Sequence, residues 1–262
     1  MFYDKGFQLM KKDLVSYLAV YSLFSAPFWI GLFIFLTRIV RPGKNIVEQM
    51  DFLLFMSVFL SAGLALVLMG KIYLTLFSTQ NFLGNTTSLR SVMDGAKGRL
   101  VTCLSVASFF IALSFITLFM VIPSAFFLLA ASLCIPFILI EEEGLQHPMR
   151  CVFSTIFNNL FFLIKLILTG MIIFIVIFIN FIYGIYFALA ILGFFHIVDM
   201  NSIGLRLSSP YYVLFCLIIT FFAFDFFWTI CHTVYYFYHS SEKTGKDLLV
   251  RLKNIEAHEE LT

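Results

Sequence analysis

Six runs of mostly apolar residues dominate the chain, at about 14–37, 52–77, 100–121, 123–140, 159–182 and 210–238. Each approaches or exceeds the roughly 20 residues that a helix needs to cross a bilayer. The first run contains Pro27, which predicts a kink that neighbouring helices can accommodate. Runs three and four touch at Ile122-Pro123-Ser124, a joint without charge, and so predict a tight hairpin. The stretch 183–198, YGIYFALAILGFFHIV, is apolar as well. It offers about 16 residues before Asp199, short for a crossing at 1.5 Å per residue. It therefore reads as a continuation of the fifth run or as an interfacial segment.

Lys11 and Lys12 precede the first run as the basic head of a signal peptide would. The run then continues to Leu36, too long for a signal sequence and without a small-residue cleavage site at its end. It reads as a retained first span. Orientation follows from Lys and Arg, which concentrate on the cytoplasmic side. With the N-terminus inside and six spans, Lys5, Lys11, Lys12, Arg90, Lys97, Arg99, Arg150, Lys243, Lys246, Arg251 and Lys253 lie inside. Only Arg38, Arg41, Lys44 and Arg206 lie outside. Lys71 and Lys165 sit within spans, close enough to the cytoplasmic end for their heads to snorkel to it. Both termini are expected in the cytoplasm.

The segments that precede each pair of spans share a form. Residues 2–13 (FYDKGFQLMKKD) carry apolar and basic residues that can sort onto two faces of a short helix. Residues 87–99 (TSLRSVMDGAKGR) start at a Thr cap and end among basic residues. Residues 148–157 (PMRCVFSTIF) begin with proline, which favours the first helical position. The chain thus reads as three units, each an interfacial elbow helix followed by a span out and a span back. Elbows of this kind lie in the headgroup plane with basic side chains toward anionic lipid.

Composition agrees with hydrocarbon as the solvent. Of the 262 residues, 61% are hydrophobic and 12% charged, against averages of roughly 45–50% and about 25% in soluble domains. The net charge of +2 gives no electrostatic footprint for a nucleic-acid partner. Cys103, Cys134, Cys151, Cys216 and Cys231 form no C-x-x-C pair and read as small buried hydrophobes, not as a disulfide framework or zinc site.

Candidate chemistry is concentrated in the sixth run. Asp225 lies near the middle of that run, where a charge must face protein or water. Spacings of four and three then place Asp225, Thr229, His232, Tyr236 and His239 on one helix face. His232 falls at about the depth of Lys71 and Lys165. One reading is a proton or ion path with Asp225 titrating and His232 relaying. The other, which is preferred, is a buried polar contact that fixes the sixth helix, with Asp225 paired to lysine or protonated. Glu141, Glu142 and Glu143 are adjacent and so share no helix face; they read as a solvated helix end. His147 and His258 have no metal-ligand company in the sequence. Hydrolase, zinc-protease and phosphate-loop motifs are absent, and Cys231 and His232 point to different faces. Neither a catalytic residue nor a metal or other cofactor is expected. Tyr211 and Tyr212 at one end, and Tyr235, Tyr236 and Tyr238 at the other, fit interfacial aromatic belts. The 35 phenylalanines read as lipid-facing and core filling.

Two stretches carry a family resemblance. PFILIEEEGLQHPMRCVFSTIFNN (136–159) and YYFYHSSEKTGKDLLVRL (235–252) resemble the signatures of the YciC-like and glycerophosphodiester-phosphodiesterase membrane-domain families. Glu143, Gly144, Pro148, Cys151 and Thr155 would take the family's acidic-glycine pair and elbow positions. Cys151 replaces the family's usual alanine, and the basic residue usual beside the serine is missing. The resemblance implies six spans with cytoplasmic elbows and no catalytic residues, since the hydrolase of such phosphodiesterases is a separate soluble domain.

The sequence thus predicts an all-α, polytopic transmembrane bundle over residues 1–240 with a short cytoplasmic helix or tail over 241–262. The expected location is the plasma membrane (a bacterial inner membrane), with both termini cytoplasmic. A non-enzymatic scaffold, partner-binding unit or membrane organiser is the first functional expectation. A small transporter or permease subunit using the Asp225/His232 path is the second. A lipid-modifying enzyme built on Glu141, Glu142, Glu143 and Arg150 is the weakest. Expected partners are the bilayer, anionic lipid at the elbows, and a protein partner or a second copy of the chain.

Overall fold

The structure is a computed structural model. It describes residues 6–8, 10–11, 14–39, 50–82, 96, 98–117, 119–140, 146–158, 160–195 and 209–244. Its helices are α1 (Leu14–Ile39), α2 (Met50–Phe82), α3 (Leu100–Ile116), α4 (Val121–Ile140), α5 (Gln146–Asn158), α6 (Leu160–Phe194) and α7 (Pro210–Thr244). No strand occurs among the described residues. A helix satisfies every interior backbone N–H and C=O within one segment, which is what a chain this apolar requires in lipid.

Among the described residues, four helices carry stretches long and apolar enough to cross a membrane: Leu14–Arg38, Phe52–Phe82, Ile164–Phe194 and Pro210–Tyr238. Runs three and four become the shorter apolar helices α3 and α4, which pack on each other as a hairpin. The hairpin turns earlier than the sequence suggests, at Thr117–Met120 and not at Ile122-Pro123-Ser124. The Thr117 N–H closes α3 on the Leu113 carbonyl at 3.0 Å, and the Met120 N–H donates to the Thr117 carbonyl at 2.8 Å. Pro123 then falls in the first turn of α4, where a missing N–H costs nothing because it has no acceptor in the helix. Just behind the turn the Ser114 hydroxyl lies 2.9 Å from that of Ser124, both buried.

Of the two readings of 183–198, the described residues follow the continuation of the fifth run. Residues 183–194 continue α6 without interruption, making one helix of 35 residues; residues 196–198 lie outside the described residues. In the same way α1 runs on through Pro27, α2 extends to Phe82 and α7 extends past Tyr238 to Thr244. The elbow expected at 148–157 is a helix, but it begins two residues sooner, at Gln146. Pro148 therefore occupies the first turn, not the first position. Of the other two elbows, residues 6–8 and 10–11 are helical. Most of 87–99 and most of the tail at 241–262 lie outside the described residues.

The chain forms two compact units. The first comprises Met1–Phe24, Val67–Asn158 and Phe227–Thr262. In it Tyr17 of α1 packs edge-on against Phe77 of α2, its hydroxyl accepting from Asn81 at 3.0 Å. Phe24 stacks on Tyr73, and Phe82 stacks on Phe237. A Cβ at Gly70 would meet the Phe24 Cβ at 3.2 Å, so this glycine sets the closeness of α1 and α2. Arg99, at the N-terminal edge of α3, donates to the Leu139 carbonyl near the end of α4. A cation at a helix C-terminus satisfies an orphan carbonyl and complements the helix dipole.

The second unit comprises Ser25–Leu66 and Asn159–Phe226. Trp29 stacks on Phe221, and Phe33 packs edge-on against Phe215. Phe174 of α6 packs on Phe221 and Phe224 of α7. The Tyr212 hydroxyl donates to the Ile182 carbonyl at 2.7 Å. These pairs set α6 antiparallel to α7 in this unit.

Candidate functional site

In α7 each residue from Thr229 to Tyr236 is buried, the least buried being Thr229 at 6% exposure. Eight successive positions of a 3.6-residue helix cover its whole circumference, so this part of α7 is enclosed on every side. The neighbours can be named. Tyr236 meets Phe137 of α4 edge-on with ring centroids 4.9 Å apart. A Cβ at Gly6 would lie 2.9 Å from the Cys231 Sγ. A side chain there would have to displace this sulfur, so glycine suits the close approach of the N-terminal segment to α7; the sequence reading did not single it out.

His232 is the polar centre of this post. Its ring is 2% exposed, and the Trp228 indole packs against it edge-on at 4.8 Å. Neither of its nitrogens has a hydrogen-bond partner among the described residues. Lys71 of α2 belongs to the same unit. Thr229 stands one turn before His232, and its carbonyl accepts from the Thr233 hydroxyl at 3.1 Å. Lys71, Thr229 and His232 all belong to the first unit.

Asp225 and Lys165 belong to the second unit. Asp225 is partly buried, whereas Lys165, in the second turn of α6, is exposed. Of the elbow signature, Thr155 is buried at 1% exposure, and Pro148 and Cys151 fall within α5. Glu143 and Gly144, with Glu141, Glu142 and His258, lie outside the described residues. Val152, Thr155 and Ile156 form the buried face of α5, while Arg150 and Phe157 are exposed. Phe153 packs against Phe110 of α3 and Phe126 of α4. Helix α5 is therefore seated on the α3–α4 hairpin.

The sequence reading also passed over the polar residues of α1 and α2. Tyr17 and Tyr21 are fully buried one turn apart, and Thr75, Ser78 and Thr79 are buried on α2. Spacing by four in an apolar run was the available signal for the tyrosines. The hydroxyls of Ser78 and Thr79 donate to carbonyls one turn back in their own helix, at 2.7 and 2.8 Å. They are thereby satisfied without a partner from another helix. Among the described residues no three His, Cys, Asp or Glu side chains gather as metal ligands. Cys103, Cys134, Cys216 and Cys231 are buried free thiols.

No family model matches this chain, and neither a curated protein nor a solved structure matches it.

Proposed function

We propose that this chain is a multi-pass membrane domain with six membrane-embedded helices and both termini cytoplasmic, acting as a scaffold or partner-binding unit without catalysis. The observation that carries the reading is the enclosure of α7 from Thr229 to Tyr236. A helix packed on all sides is a structural post around which other helices are held. The distribution of basic residues supports the orientation, and a plasma membrane, bacterial inner in type, is the location it implies. The resemblance of 136–159 and 235–252 to the YciC-like group supports the same layout. In this reading the elbow helix α5 lies at the cytoplasmic interface. Arg150 then faces anionic headgroups, an attraction of the order of 1 kcal/mol per basic residue.

The test compares the post with the elbow. In mild detergent, Asp225→Asn and His232→Leu are expected to leave co-purifying lipid and polypeptide unchanged. Leucine at 232 removes two buried nitrogens that lack partners among the described residues, so no hydrogen bond seen there is lost. Arg150→Glu is expected to lower the share of anionic lipid retained. Equal retention by the Arg150→Glu protein would count against the elbow.

The second reading, a small transporter or permease subunit, draws on the burial of His232 at 2% exposure in the unit that also holds Lys71. It predicts the reverse outcome: a properly inserted Asp225→Asn or His232→Leu protein that has lost its activity.

A further inference from the structure

We infer that α6 carries a self-association surface, centred on Asn180, that pairs with α6 of a second copy of this chain. The inference rests on the membrane reading above and deepens it by naming the partner. Two observations on α6 support it independently.

The first is a polar group where lipid cannot satisfy it. Asn180 is exposed, and its side-chain amide donates to the Val176 carbonyl of its own helix at 2.7 Å. That leaves one amide N–H and the carbonyl oxygen, with two lone pairs, facing outward. The exposed neighbours on this face are Val176, Ile179, Tyr183 and Phe187, a stripe at helical spacing whose one other hydrogen-bonding group is the Tyr183 hydroxyl. Hydrocarbon offers neither donor nor acceptor, and Asn side chains in such positions hydrogen-bond across helices. A carboxamide is self-complementary, being donor and acceptor at once. Two copies inserted in the same direction are related by a two-fold axis along the membrane normal. Residues of equal depth then meet, Asn180 against Asn180.

The second observation is length. At 35 residues α6 is roughly 52 Å long, about 20 Å more than the hydrocarbon core. Its last turns remain apolar and exposed: Tyr186 53%, Phe187 67%, Ile191 42%, Phe194 79% and Phe195 64%. Tilting absorbs part of such an excess, and pairing with an equal helix covers the rest. One turn beyond Asn180 on the same face is Gly184, with open space where a Cβ would be, and one turn further is Ala188, also exposed. These small residues allow two backbones to approach, so that the amides come within reach.

The full-length chain in native membranes provides the test. A Gly184→Cys protein, oxidised mildly, is expected to form an intermolecular disulfide dimer on non-reducing gels. Val101→Cys, exposed on α3 at 74%, is the control and should stay monomeric. Between two differently tagged copies, Asn180→Leu is expected to weaken association by roughly three- to thirtyfold, the effect of losing an interhelical hydrogen bond in a membrane. Asn180 is exposed, so this change leaves the packing of the monomer intact. A Gly184→Cys protein that stays monomeric, or association unchanged by Asn180→Leu, overturns the inference. Alkaline carbonate extraction of the same membranes separates the two failures. A monomer that resists extraction refutes pairing alone, whereas an extracted chain refutes the membrane reading beneath it.

Discussion

Replacing Gly63 with leucine is expected to abolish most of the folded, monodisperse protein recovered from membranes. A Cβ at this position would lie 3.2 Å from the Cα and the Cβ of Phe28. The obstacle is backbone, which cannot rotate aside as a side-chain tip can. The whole of leucine beyond its Cβ would also have to be placed between α1 and α2, so the helices must separate. Overpacking costs typically about 1–3 kcal/mol where a core can adjust, and here the adjustment includes the Arg38–Phe52 and Gly31–Phe59 contacts of the same helix pair. Gly98, which has nothing within 4 Å of its would-be Cβ, is the control: alanine there should be tolerated. The measurement is the monodisperse fraction by size-exclusion fluorescence. A Gly63→Leu protein eluting like the parent would mean that α1 and α2 do not touch in this way.

Truncating Tyr236 to alanine is expected to cause the second largest loss. Tyr236 is 1% exposed and belongs to the enclosed stretch of α7. Its ring meets Phe137 and Phe237, so alanine leaves a void bordered by α4 and α7. Cavities of this size cost about 3–5 kcal/mol. In a membrane that cost comes from lost dispersion contacts, because lipid and protein interior are similarly apolar. Thermal unfolding in detergent should shift down by roughly 6–12 °C or more, at about 2–4 °C per kcal/mol for a chain of this size. Tyr211, partly buried near the start of α7, gives the comparison: its truncation should cost far less. If the two variants melted together, α7 would not be a post.

The outline of the fold was legible because lipid imposes a single rule. Apolar length fixes where helices run, and four of the six runs became helices long enough to cross. The rule is weaker at helix ends. Pro123 and Pro148 looked like boundaries, yet each falls inside a first turn, where the helix does not need the proline N–H. In the stretch 183–194 nothing polar was present to stop α6, and the helix did not stop. The spacing of Asp225, Thr229 and His232 along α7, by four and three residues, was readable. What surrounds those residues was not. That Gly6 seats the N-terminal segment against Cys231, or that Tyr17 accepts from Asn81, depends on pairings between segments far apart in sequence. Periodicity within one helix carries no information about its neighbours. Asn180 was hidden for the opposite reason: inside so uniform a run, its exposure could only be learned from knowing which side α7 covers.

The α3–α4 hairpin bears on how the chain acquires its sidedness. Its tip is oily and outward, with Phe119 at 98% and Ile116 at 75% exposure. Its turn is internally hydrogen-bonded, with the Ser124 N–H donating to the Met120 carbonyl at 3.1 Å. Such a tip can rest in acyl chains or just clear them. In the membrane reading proposed above, an out-and-back excursion contributes an even number of crossings in either case, so α6 and α7 would be threaded identically however deep the tip reaches.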